Sequence, residues 1–185
     1  MKEPLRIAQK IIILYICRPL VNGGYKAMKI GFLFISSFMI FYASLQSFDK
    51  SGYYRVMASG DHTAIDSELV LLTHAIPREK EAYEGALLMK KAGLLHKPKD
   101  KLTTFRLGAT KLETALAKDS SNGEYHFLRL IIQEHAPAVV HYNKDVDTDL
   151  EWVYRTFKTL SPAVQKAILD YSGHSKRLRA NQLNG

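Results

Sequence analysis

Apolar and polar positions divide this chain into two unlike parts. From Ile30 to Phe48 there are 19 residues without a charge, preceded by Lys26 and Lys29. At 1.5 Å per helical residue such a run just spans a hydrocarbon core of about 30 Å. Beyond it the apolar residues recur at helical spacing, and proline repeatedly marks a start, because the first helical position has no amide hydrogen to lose. One helix is expected from Thr63 to Ala75, with Ile65, Leu69, Val70 and Leu72 on it. A second opens at Pro77 and runs to Leu95, and a third runs from Pro98 to the turn Asp119–Gly123, with Leu102, Phe105, Leu112 and Leu116 near one face. A short, very apolar helix comes next, from Glu124 to His135, halted by Ala136-Pro137. The last two run from Asp147 or Thr148 to about Leu160, and from Pro162 to Tyr171 with Gly173 closing. No alternating β pattern of useful length competes. The expected fold is all-α: a small helical bundle or short helical-hairpin solenoid of about 120 residues behind an apolar leader.

The pattern divides the chain into four parts. Residues 28–47 form a signal peptide or signal anchor: a short basic start at Met28-Lys29, an apolar stretch, then small and polar residues where cleavage would occur. Residues 48–62 read as a polar linker, and 63–185 as the helical domain. Residues 1–27 hold only a seven-residue apolar run, Ile11 to Cys17, too short to span a bilayer. They are either an upstream extension of the gene model, with Met28 the true start, or a cytoplasmic tail lying on the membrane. Cys17 comes after Tyr15-Ile16, not the small residue that lipidation needs, so it is an ordinary thiol.

Composition changes the picture in one respect. The net charge of +8 and pI near 9.5 suggest nucleic acid until the charge is located. Residues 1–47 carry six basic side chains against one acidic; residues 48–185 carry twenty against seventeen, a net +3. Most of the basicity is therefore a topology signal placing the N-terminal side in the cytoplasm. The chain is expected to be exported across the inner membrane to the periplasm or cell envelope, or anchored through residues 30–48, and no nucleic-acid partner is expected.

At Gly108–Asn122 a small residue is followed four positions on by Leu112, then by Ala115-Leu116 and a turn. This spacing resembles the second helix of a tetratricopeptide repeat, in which small residues let paired helices approach closely. The preceding helix offers Tyr83, Gly85 and Ala86. The resemblance covers about half of one repeat and implies a protein-binding scaffold; an ordinary antiparallel helix pair would show the same spacing.

Candidate chemistry is sparse. There is no phosphate-binding glycine loop, no nucleophile elbow and no His-Glu-x-x-His, and the domain after the leader has no cysteine. His126, Arg129 and Gln133 share one stripe of their helix, whereas His135 points the opposite way with Ile131 and Leu128, so the two histidines cannot hold one metal ion. The stripe is suited to an anion or a partner carboxylate, or to an inter-helix hydrogen-bonding face. Asp145, Asp147, Asp149 and Glu151 alternate, but the glycine and glutamate of a calcium loop are missing, and the acids read as caps for the next helix. Lys90, Lys91, Lys97, Lys99 and Lys101 form a basic patch around one loop, suited to anionic headgroups or simply to solvent. No cofactor and no metal site is expected. The function expected is a protein-interaction module of the envelope, with another envelope protein as partner. The alternatives are an enzyme centred on His126 and Arg129, or a weak metal binder.

Overall fold

The structure, a computed structural model, describes residues 48–73 and 77–183. Residues 1–47, with the signal or anchor segment, the upstream extension and Cys17, lie outside the described residues, as does Ala75. Among the described residues no helix is long and apolar enough to cross a membrane.

The compact unit begins at Phe48 and is all-helical. Its α-helices are α1 (Lys50–Ala58), α2 (His62–Leu72), α3 (Pro77–Leu94), α4 (Pro98–Lys118), α5 (Gly123–His135), α6 (Val146–Thr156) and α7 (Pro162–Ser172). Short 3₁₀ turns come after α5, α6 and α7. The starts obey capping chemistry. Asp61 accepts from the amides of Thr63 and Ala64, Asn122 accepts from those of Glu124 and Tyr125, and Pro98 and Pro162 sit in the first turns of α4 and α7. The expected helix to Leu160 is shorter: α6 ends at Thr156 and tightens into a 3₁₀ turn. There Gln165 donates to the carbonyls of Phe157 and Leu160, both at 3.0 Å, satisfying groups that a helix end leaves open.

Residues 48–62 are not a linker. Asp49 caps α1 by accepting from the amide of Gly52 at 3.0 Å, and the helix buries Tyr53, Tyr54 and Met57. Tyr53 donates to the Tyr83 carbonyl at 2.9 Å, and its ring packs edge-on against those of Tyr54 and Tyr83. The polar composition of the stretch concealed three large side chains at i, i+1 and i+4, which share one helix face.

Two antiparallel hairpins carry the unit, α3 with α4 and α5 with α6; α2 lies along α3, and α1 bridges to α7. α5 is central, with ten of its 13 residues buried. The first hairpin closes at two glycines. A Cβ on Gly108 would stand 2.5 Å from the Gly85 carbonyl oxygen and 2.9 Å from the Met89 nitrogen, while one on Gly85 would meet backbone atoms of Gly108 and Leu112 at 2.7 Å. Only hydrogen fits there. Gly93, near the end of α3, has nothing within 4 Å of its would-be Cβ.

The two kinds of glycine predict opposite signs. Gly108→Ala will lower the melting temperature, because about 1–3 kcal/mol of overpacking exceeds alanine's helix-propensity gain of about 1 kcal/mol. Gly93→Ala meets no neighbour and will raise it. Thermal unfolding followed by circular dichroism reads both.

Candidate functional site

Helix α5 sorts its side chains by face. At about 100° per residue, His126, Arg129 and Gln133 share one side, and Phe127, Ile131 and His135 the other. Each side builds a different kind of site.

On the polar side, His126 and Arg129 converge on Asp149 of α6, which is fully buried. Arg129 grips it with both arms of the guanidinium fork, Nε to Oδ2 at 2.9 Å and Nη2 to Oδ1 at 2.7 Å, and sends Nη1 to Glu113 of α4 at 2.9 Å. Asp145 stands 3.7 Å from the same Nη1. Burial alone would lower the Arg129 pKa, but its hydrogen bonds to Asp149 and the charges of Asp149, Glu113 and Asp145 outweigh burial and raise it. Tyr142 donates to the other oxygen of Glu113 at 2.6 Å; burial first, then that hydrogen bond, push its phenol well above the ordinary value. The His126 ring lies flat against Trp152, 5.3 Å between centroids, and the Arg155 guanidinium stands 4.7 Å from the centre of the same indole.

This arrangement ties α5 to α4 and α6. His126 has Nδ1 2.6 Å from Asp149 Oδ1 and Nε2 2.9 Å from the Ser120 carbonyl, so both ring nitrogens are committed to protein acceptors. The partner carboxylate that the stripe was suited to is the chain's own Asp149. Gln133 does not join: its buried amide makes no hydrogen bond among the described residues and borders a small cleft with Asn143 and Lys144. Asp149 itself was read as a helix cap. The signal that finds it is the wheel of α6, on which Asp149, Val153 and Phe157 fall four residues apart and are all buried.

On the apolar side lies a groove of about 1230 Å³, larger than the roughly 300–1,000 Å³ usual for small-molecule pockets. Five segments line it: α1, the end of α3, the start of α4, the end of α5 with the residues after it, and α7. The floor holds Met57, Met89, Phe105 and Ile132, and Leu102 and Val139 stand exposed at the lining. The five lysines expected to form one patch separate here. Lys90 and Lys101 line the groove, Lys91 pairs with Asp66 at 2.6 Å, and Lys97 and Lys99 face solvent. Arg55 and Arg106 join the lining from α1 and α4, and its single acid, Asp170, is taken up by Lys166 at 2.7 Å. His135 is on the rim, exposed and 6.1 Å from the Tyr171 ring. Among the described residues no cluster of His, Cys, Asp and Glu is placed to hold a metal.

Removing the carboxylate at the centre will test the polar network. Asp149→Ala removes the buried acceptor shared by Arg129 Nε and Nη2 and by His126, leaving Glu113 and Asp145 at Nη1 alone, and loss of one partner of such a buried pair costs about 3–5 kcal/mol. A loss of that size in the unfolding free energy from urea titration is expected for Asp149→Ala, against one under about 1 kcal/mol for the exposed pair at Lys166→Ala. Set beside known proteins, the chain is matched by no family model, no curated protein and no solved structure.

Proposed function

We propose that this chain is an exported or membrane-anchored protein of the cell envelope whose helical unit is a binding module, and that its groove seats an apolar occupant carrying negative charge. The observation that carries the reading is the pairing of an apolar floor with four cations, Arg55, Lys90, Lys101 and Arg106, none of which has an ion pair among the described residues. Water and salt solvate such a rim in the free protein. An occupant with an apolar body and an anionic end covers the apolar lining, the exposed Leu102 and Val139 included, and compensates the charge. The leader supports the placement: an uncharged stretch of 19 residues behind two lysines delivers the downstream chain across a membrane.

The second reading comes from the partner expected from sequence, another envelope protein, and from the tetratricopeptide-like spacing at Gly108–Asn122. In that case an acidic amphipathic helix lies along the groove. Met57, Met89 and Ala92 on the floor are each 3 % exposed, so the floor offers little open apolar area for a helix face to cover.

Two measurements check the proposal. Fractionation of the tagged full chain, with the mass of its N-terminus, will find it in the envelope; recovery from the cytosol overturns the placement. A photoreactive benzophenone residue at Leu102, 41 % exposed on the groove lining, will form an adduct in the envelope, whereas one at the exposed Thr63 on α2 will not. Gly93→Phe, which fills the groove from a position with open space, will abolish the adduct. No adduct at Leu102, or one indifferent to Gly93→Phe, overturns the groove as a binding site.

A further inference from the structure

We propose that the occupant of the groove is a long-chain fatty acid, its alkyl chain along the floor and its carboxylate at Lys90; this rests on the groove being a binding site. Three observations select that chemistry. The first is the charge. The chain pairs many of its cations, with Lys91 on Asp66, Lys111 on Glu84, Lys118 on Glu81 and Lys166 on Asp170. Lys90 has no such carboxylate although it is half-buried in the groove wall. Burial there pulls its ammonium pKa down, the mark of a charge short of solvent and of a counter-ion. A ligand carboxylate supplies the counter-ion, in the form of a charge-assisted hydrogen bond.

The second is the floor. Met57 and Met89 are unbranched and soft, and they conform to a flexible hydrocarbon better than branched side chains do. Phe105 and Ile132 complete the apolar floor. The third concerns rivals. The chain's own apolar stretch from Ile30 to Ser47 has no charge, so its docking would leave Arg55, Lys90, Lys101 and Arg106 as they are. A methylene chain with one carboxylate meets both the apolar floor and Lys90 on the wall.

The test uses the full chain in an envelope preparation from producing cells, labelled with a palmitate analogue bearing a mid-chain diazirine and a terminal alkyne. Labelled peptides are expected to contain Met57, Met89 or Ile132. Free palmitate should compete about tenfold better than hexadecanol, which has the same tail and no charge, and Lys90→Met should erase most of that preference, the scale of one charged hydrogen bond. Gly93→Phe should remove the label while leaving the melting temperature intact. Equal competition by palmitate and hexadecanol, or a preference indifferent to Lys90→Met, overturns the carboxylate assignment and leaves the groove as an apolar site. Stronger labelling of the same peptides by a photoreactive lysophosphatidic acid overturns fatty acid in favour of phospholipid. A benzophenone adduct at Leu102 of protein mass, with no palmitate label, assigns a partner protein and overturns the proposal. Absence of both label and adduct overturns it together with the binding reading.

Discussion

The rest of the fold depends on one constraint: α5 is almost without a solvent face, yet it carries Glu124, His126, Arg129, Gln133 and Glu134. A buried ionised group costs several kcal/mol unless other groups meet it, so neighbouring elements are placed where they supply partners. At the start of α5, Glu124 receives Lys50 and Tyr54 from α1 and Tyr83 from α3, at 2.7, 3.0 and 2.6 Å. In the middle, His126 and Arg129 draw in Asp149 of α6 and Glu113 of α4. At the end, Glu134 accepts from Tyr171 of α7, from Ser175 and from the Arg177 amide. Three polar centres along one helix thus fix the neighbours in register, where apolar packing alone would tolerate sliding.

The groove is the counterpart of this arrangement. With the charged partners of α5 gathered at its ends and along the His126–Arg129 side, the Phe127–Ile131 side is left to apolar contact, and the flanking helices do not close over it fully. α1 meets α7, and the α3–α4 hairpin is pinned midway by Gly85 and Gly108, short of the Leu94–Pro98 end that lines the groove. The rigid crossing abuts the cavity through Met89, which packs against Gly108 and also lines the groove.

The same logic governs how much was legible in the sequence. Helical period and proline starts located six helices closely, and the wheel of α5 correctly opposed His126 to His135. The polar look of residues 48–62 hid α1, because Ser51-Gly52 and the surrounding charges outweighed Tyr53, Tyr54 and Met57 in a reading by composition. Asp149 was missed for a related reason: alternating acids before a helix suggest capping, and only the burial of Val153 and Phe157 on the same face shows that one of them points inward. The groove has no local signature. Its floor comes from five separated segments, and a cavity is defined by what does not pack, which no single segment records.

The closing helix gives the groove an order in time. α7 lines one wall, and behind it Leu178 and Leu183 are buried in the core. Elements nearer the N-terminus leave the ribosome first, so the wall supplied by α7 is added to the groove after the other four segments that line it.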